Sequence, residues 1–372
     1  MRLVIERAAL LKALNHVASV VERRNTIPIL SNVLLQGADG ELKLTATDLD
    51  IEVVETVKAD VATNGGTTVL AHVFNDIVRK LPDGAQIEVS LGDDDGRMAL
   101  ASGPANFALQ VLPPDDFPDM SAGEMSHSFT VPAADVKKLI EKSRFAISTE
   151  ETRYYLNGIY LHAAESDGSE MLRAVATDGH RLAQIDVALP KGAKGMPGVI
   201  VPRKTVFEVS KMIEDTDTDI KVELSSSKIR FSVGDIVLTS KLIDGTFPDY
   251  QRVIPDGNDK VLAVANSEFA AAIDRVSTLS SDKGRAVKLK IGGGKVVLSV
   301  NNPDSGSATE ELAANYKDDE LEIGFNARYL LDISGQLESE QAKFLFADPG
   351  SPTMVRDDGE ASALYVLMPM RV

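Results

Sequence analysis

The chain has 372 residues, 44% apolar and 26% charged, enough for two or three separate cores of about 150 residues each, and this excludes a disordered or collagen-like chain. No run of about 18 apolar residues occurs, so no membrane-crossing helix is expected, and the absence of cysteine excludes disulfides and thiolate metal sites. Thirty-nine basic against 56 acidic residues leave a net charge of −17, which read globally argues against nucleic acid, because phosphate binding needs a positive footprint.

In chain order, a short alternating strand at 3–6 carries Glu6, followed by Arg7, where a secretory leader needs its apolar stretch. A cytoplasmic protein is therefore expected. A small-residue-rich helix at 8–20 and a second helix at 72–81 follow. The same rhythm returns with a strand at 128–131 and helices at 133–144 and 203–213. It returns again with a strand at 261–264 and helices at 266–279 and 326–337. Period-2 strands lie between them, for example at 220–224 and 288–291.

The rhythm is a true repeat. Thr47-Asp48 recurs as Thr177-Asp178, and Phe117-Pro118-Asp119 as Phe247-Pro248-Asp249, both at an offset of 130 residues; Asn301-Asn302 marks a fainter third copy 124 residues further on. Three tandem units of similar fold are predicted, at 1–123, 124–257 and 258–372, with short Pro/Asp-marked connections at 118–123 and 255–259. Two helices and antiparallel sheets per unit make the class α+β.

The six helical segments hold twelve Lys/Arg against seven Asp/Glu, a local excess of +5 in a chain of net charge −17. Helices gathered on one side would give a basic face backed by an acidic shell. The preference of Lys and Arg for helix surfaces explains the same count equally well. Little else suits catalysis. Asp178, Gly179 and His180, with Asp48 and Asp50, lack metal-ligand spacing, and the recurrence of Asp48 as Asp178 points to a turn. Gly292-Gly293-Gly294-Lys295 is a hairpin turn, since a phosphate loop needs Ser or Thr after its lysine. Asp93-Asp94-Asp95 reads as a solvated loop. The Met-rich tail at 365–372 suits either a last core strand or an adaptable peptide-binding surface.

Arg153-Tyr154-Tyr155-Leu156-Asn157-Gly158, Ala174-Val175-Ala176-Thr177-Asp178-Gly179-His180-Arg181-Leu182, Val201-Pro202-Arg203-Lys204, Thr239-Ser240-Lys241-Leu242, Phe247-Pro248-Asp249-Tyr250 and Met368-Pro369-Met370-Arg371 together resemble the bacterial DNA polymerase III β subunit family, the sliding clamps. The resemblance runs in order over essentially the whole chain. It implies a non-catalytic head-to-tail homodimer, a closed ring around duplex DNA with helices lining the hole. It implies no cofactor, no metal and no membrane partner, and it names as partners a clamp loader, the replicative polymerase and other proteins with clamp-binding motifs.

Carried over by position, the resemblance implies DNA contacts at Arg24, Tyr154, Tyr155, Arg203 and Lys204, with core packing as the alternative for the two tyrosines. It implies a partner-peptide pocket built from Leu156, Thr177, Gly179, His180, Arg181 and Leu182. Pro248, Arg252, Val253, Val366 and Leu367 join it, with Met368, Pro369, Met370 and Arg371 from the tail. It places the dimer interface at Phe107, Leu109, Thr278 and Leu279. Basic residues common in the family around 104–106 are missing here and the acidic patch at 304–311 is thin, which predicts an interface less reliant on ion pairs. His72 and Val73 stand where basic residues are common, and Val372 where leucine is.

Overall fold

The computed structural model describes residues 1–92, 96–120, 123–166, 168–214, 216–280, 285–357 and 359–371, so the aspartates at 93–95 and Val372 lie outside the described residues. The first third of the chain runs β1 (Arg2–Glu6), α1 (Arg7–Ala18), β2 (Asn32–Ala38), β3 (Glu41–Thr47), β4 (Ile51–Lys58) and β5 (Asp60–Thr63). It continues with β6 (Gly65–Leu70), α2 (Ala71–Lys80), β7 (Gln86–Leu91), β8 (Arg97–Ser102) and β9 (Ala105–Leu112). The middle third runs β10 (His127–Val131), α3 (Ala133–Glu141), β11 (Gly158–Ser166), β12 (Ser169–Thr177) and β13 (Arg181–Ala188). Then come β14 (Val199–Pro202), α4 (Arg203–Met212), β15 (Ile220–Leu224), β16 (Lys228–Val233) and β17 (Ile236–Lys241). The last third runs β18 (Lys260–Ala265), α5 (Asn266–Ser277), β19 (Ala286–Gly292), β20 (Lys295–Asn302) and β21 (Gly306–Ala313). It ends with β22 (Leu321–Asn326), α6 (Ala327–Ser334), β23 (Gln341–Phe346), β24 (Thr353–Asp357) and β25 (Glu360–Leu367).

Apart from β5, each third has one order: strand, helix, four strands, helix, three strands. The buried stripes keep step as well. Leu10, Ala13, Leu14 and Val17 on α1 share their spacing with Val136, Leu139, Ile140 and Ser143 on and just after α3, and with Phe269, Ala272, Ile273 and Val276 on α5. That spacing places all four side chains on one helical face, and each fully buried Leu or Phe contributes about 1.5–3 kcal/mol. The Glu6 carboxylate accepts from the Ala9 amide at 3.1 Å to cap α1, and Asn326 Oδ1 accepts from the Arg328 amide at 2.9 Å to cap α6.

The contacts divide the chain into two compact units. One holds Met1–Lys137, Pro190–Lys194 and Lys204–Leu242; the other holds Lys138–Leu189, Gly195–Arg203 and Ile243–Val372. In the first, a 13-stranded antiparallel sheet runs β10-β15-β16-β17-β4-β3-β2-β6-β9-β8-β7-β1-β5. In the second, an eight-stranded sheet runs β14-β11-β12-β13-β25-β24-β23-β18 and a four-stranded sheet runs β21-β20-β19-β22. Pairing of β17 with β4 fuses half of the middle repeat to the first, and pairing of β13 with β25 fuses the other half to the third. Compactness therefore cuts through the middle repeat, whereas the sequence repeat does not.

Gly293 and Gly294, at φ 61° and 78°, form the two-residue turn between β19 and β20, a left-handed pair that glycine adopts without strain. Among the described residues no helix is long and apolar enough to cross a membrane.

Candidate functional site

The recurring Thr-Asp pairs are turn formers. Thr47 Oγ1 accepts from the Leu49 amide at 3.0 Å, and Asp48 Oδ1 accepts from Asp50 and Ile51 at 2.9 and 2.8 Å. Thr177 Oγ1 accepts from Gly179 at 3.1 Å, and Asp178 Oδ1 from His180 and Arg181 at 2.9 and 3.0 Å. In the third copy Asn302 Oδ1 accepts from Asp304 at 3.0 Å. One side-chain oxygen is thus committed to backbone in every copy. The third turn residue is left-handed in the first two, at φ 78° for Leu49 and 88° for Gly179. The His180 ring stacks on Tyr329, and no group of three metal-ligating side chains exists among the described residues.

Next to the second of these turns the structure gathers an apolar cluster. Leu156, Val175, Leu182, Ile200, Phe247, Tyr250 and Val366 are buried together, with Tyr155, Tyr160, Ile243 and Ile254 packed partly exposed against them. All lie within the second unit. Strand register explains the assembly: Tyr160 faces Val175, Thr177 faces Leu182, and Leu182 faces Val366, so four adjoining strands present one face. The 3₁₀ turns Glu151–Leu156 and Tyr250–Val253 carry Leu156 and Tyr250 onto it.

A polar ladder runs along the same face. Tyr160 stacks on Phe247, with centroids 4.9 Å apart, and on His162 at 4.6 Å. His162 Nε2 lies 3.1 Å from the Tyr250 hydroxyl, which also accepts from Arg173 Nη1 at 3.3 Å, and Arg173 donates twice to Asp186 at 2.6 and 2.7 Å. Burial pushes the His162 imidazole below its ordinary value, and Arg173 adds to that. Burial pushes the Tyr160 hydroxyl up. A Cβ on Gly198 would sit 2.2 Å from the Tyr160 hydroxyl, so this glycine makes the room that Tyr160 occupies.

Of the expected pocket residues, Leu156, Leu182 and Val366 belong to the cluster, and Thr177 shares their strand face, though its hydroxyl is spent on the Arg181 carbonyl at 2.7 Å. Pro248, exposed, lies between Phe247 and Tyr250, and Val253 stands 48% exposed beside Ile254. Arg252 is exposed and paired with Asp249 at 2.8 Å. Gly179 is exposed, and a Cβ there would sit 2.7 Å from the Arg153 guanidinium.

Arg181 and Leu367 pair with each other on the opposite face of the sheet. There Arg181 is buried, donating to Asp178, Asp332 and the Phe145 carbonyl, with its guanidinium 4.3 Å from the Tyr329 ring centroid. It holds the sheet to α6 and does not line the cluster.

The tail is docked. β25 ends at Leu367, the Met368 amide donates to the His180 carbonyl at 2.9 Å, and the Met370 amide donates to Gly324 at 2.8 Å. Met368 is exposed, Pro369 and Met370 half-buried, and Arg371 exposed. Sequence reading passed over Tyr160, His162, Arg173 and Asp186. Their signal was the alternation of β11, β12 and β13 around the Thr-Asp turn.

The repeat places a copy of this arrangement in the first unit, and the copy is more polar. Glu52 takes the place of Leu182, Thr239 that of Val366 and Met120 that of Tyr250. Met120 is buried, its amide donates to Glu52 at 3.4 Å, and burial pushes the Glu52 carboxyl up.

Among the expected DNA contacts, Arg24 is exposed in the loop after α1, Arg203 is exposed at the start of α4, and Tyr154 is 54% exposed. Tyr155 is half-buried and packs against the apolar cluster, edge-on to Tyr154 at 5.8 Å. Lys204 is half-buried and engaged by the Val20 carbonyl, Glu22 and Asp48. Burial opposes its charge, but Asp48 more than restores it, and the ammonium titrates above its ordinary range.

Two strand edges lie near the expected dimer residues. β9 pairs fully with β8 but meets β6 only at Val111 and Leu112, leaving the outer edge of 105–110 without a strand partner among the described residues. β21 pairs only with β20. Phe107 and Leu109 lie half-buried on β9, and Phe107 borders a cavity of about 860 Å³ lined also by Val73, Ile77, Leu81 and Pro82. Thr278, exposed, and Leu279, half-buried, follow α5.

Comparison with known proteins agrees with this geometry. Family models for the DNA polymerase III beta subunit match in order: the N-terminal domain at residues 1–121, the central domain at 130–249 and the C-terminal domain at 251–371. The beta sliding clamp of Caulobacter vibrioides (strain NA1000 / CB15N) is 52% identical over 372 residues, all of both chains. A sliding clamp (DNA polymerase III subunit beta) from Bartonella birtlesii bound to griselimycin is 54% identical with a TM-score of 0.97, covering 100% of both chains. The C. crescentus beta sliding clamp with polyethylene glycol bound is 52% identical with a TM-score of 0.98, covering 100% of this chain and 99% of that one. The chain belongs to the DNA polymerase III β subunit family, the β sliding clamps.

Proposed function

We propose that this chain is a non-catalytic DNA sliding clamp. Two copies join head to tail into a closed ring around duplex DNA and tether the replicative polymerase, the clamp loader and other partners for processive synthesis. The observation that carries this reading is the succession of three β-subunit domains along the entire chain. The domains divide at 1–123, 124–257 and 258–372, and the protein works in the cytoplasm. Arg24, Tyr154 and Arg203 meet phosphates without reading bases, which lets the ring slide. Lys204 contributes through the loop that carries Arg24, and Tyr155 braces Tyr154.

The apolar cluster around Leu182, Val366 and Tyr250 receives a short hydrophobic peptide of the partner, with Met368 and Val253 as exposed, adaptable walls and His180, Arg252 and Arg371 at the rim. Phe107 and Leu109 of one copy pack against Thr278 and Leu279 of the next. The test is topological. The protein is loaded by its clamp loader with ATP onto nicked circular plasmid, washed in high salt, and the plasmid is then cut. Release only after cutting is expected. Equal retention on circular and linear DNA would overturn encirclement, and retention on neither would reduce the protein to a peptide-binding scaffold.

A further inference from the structure

The loop between α1 and β2 carries Arg23 and Arg24, both exposed, and neither has an ion-pair partner among the described residues. Its root is fixed by Val20 and Val21, which are buried. Two side chains from separate helices land on the carbonyls of these residues. From α4, Lys204 Nζ donates to the Val20 carbonyl at 3.1 Å. From α2, His72 Nε2 donates to the Val21 carbonyl at 3.0 Å. The Lys204 ammonium also donates to Glu22 Oε1, on the loop itself, at 3.4 Å, and to Asp48 Oδ2.

An ammonium has three N–H donors, and here three oxygens take them. A phosphate would have to displace one. The local group of Lys204, Asp48 and Glu22 carries net charge −1, so it does not attract phosphate by itself. Within this loop and its anchors, Arg23 and Arg24 are the exposed cations without a carboxylate partner among the described residues.

We propose that Lys204 and His72 are positioning residues, which pin the root of the loop so that Arg23 and Arg24 are held toward DNA, and that Lys204 is not itself a phosphate ligand. This rests on the reading of the chain as a DNA-encircling clamp. It gives His72 a purpose, because its imidazole N–H holds the Val21 carbonyl.

The test is a double-mutant cycle read by fluorescence anisotropy on a short primed duplex across a salt series. Arg23→Ala/Arg24→Ala is expected to weaken binding and to flatten the dependence of log K on log salt by about 0.9 for each phosphate that is no longer neutralised. His72→Leu removes no formal charge, and Lys204→Met/Asp48→Asn conserves net charge. Each is expected to weaken binding severalfold in the otherwise native chain and to change nothing further once both arginines are gone. Each is also expected to speed amide exchange in residues 19–25 and not across the 13-stranded sheet.

A drop in slope of about 0.9 for Lys204→Met/Asp48→Asn in both backgrounds would make Lys204 a direct phosphate ligand and overturn the proposal. No effect of either change in the native background would overturn it as well. No effect of removing the arginines themselves would refute the role of the loop in DNA binding and the proposal with it. That result is separable from failure of the clamp reading, because retention on circular plasmid would persist.

Discussion

Glu52 stands directly across from Thr239 where β4 pairs with β17. This pair marks the difference between two junctions built to one plan. At the equivalent register of β13 and β25 stand Leu182 and Val366. Both junctions have the Thr-Asp turn and the Phe-Pro-Asp segment. In the first, a half-buried carboxyl and a hydroxyl occupy the strand face and Met120 closes over it. In the second, two buried aliphatic side chains and the stacked aromatics leave an apolar face. An apolar ligand would gain from burial only in the second, so the proposed peptide site is expected once per chain.

Isothermal titration with a hydrophobic clamp-binding peptide is therefore expected to give one site per chain. Val366→Thr, which imports the residue of the closed junction, places a hydroxyl among apolar neighbours at a cost of about 1–2 kcal/mol, roughly five- to thirtyfold in Kd. Two peptides per chain, or an unchanged Kd for Val366→Thr, would show that the groove is elsewhere.

The His162–Tyr250 contact makes the second unit sensitive to acid. Burial holds the imidazole below its ordinary 6.5, so the unfolded chain takes up the proton first. The stabilisation is complete above about pH 6.5 and is lost as pH falls through the lower value of the folded state. Thermal unfolding followed downward from neutral pH should show a drop in Tm that His162→Gln flattens. A parallel drop in the variant would assign the acid sensitivity to other groups.

The fold was legible where periodicity and repetition carry it. The six helices fall within a few residues of their predicted places, because four buried side chains recur at one spacing in α1, α3 and α5. The Gly293-Gly294 turn was legible because only a left-handed pair closes that hairpin. The groove was legible only in part. Leu182 and Val366 adjoin through a strand pairing between residues almost 200 apart, which no local pattern announces. The same pairing turns Arg181 and Leu367 away from the groove, although they neighbour Leu182 and Val366 in sequence. The three oxygen partners of Lys204 were not legible, because they come from the distant segments carrying Val20, Glu22 and Asp48.

Gly198 offers a test of the stacked aromatics. A methyl group there would collide with the Tyr160 ring and hydroxyl. Gly198→Ala should thus cost about 1–3 kcal/mol in denaturant unfolding through displaced packing and should weaken peptide binding as Tyr160 leaves Phe247. In a Tyr160→Ala background the same change meets no ring and should be close to neutral. Equal costs in both backgrounds would mean that Gly198 acts through its own backbone instead.

The open edge of β9 and the adjoining cavity set the expectation for dimer strength. The cavity is lined by Val73, Ile77, Leu81, Pro82 and Phe107, an apolar socket with Asp76 and Lys80 also on its wall. Leu279 is the apolar candidate to fill it from the partner copy, and truncation at a packed apolar contact costs about 2–4 kcal/mol. Leu279→Ala should therefore raise the dimer dissociation constant by roughly thirty- to eight-hundredfold in sedimentation equilibrium. Thr278→Ala should change it far less, because the Thr278 hydroxyl already bonds the Asp274 carbonyl of its own helix at 3.2 Å. A reversed order of the two effects would mean that a polar contact at Thr278, rather than apolar burial of Leu279, closes the ring.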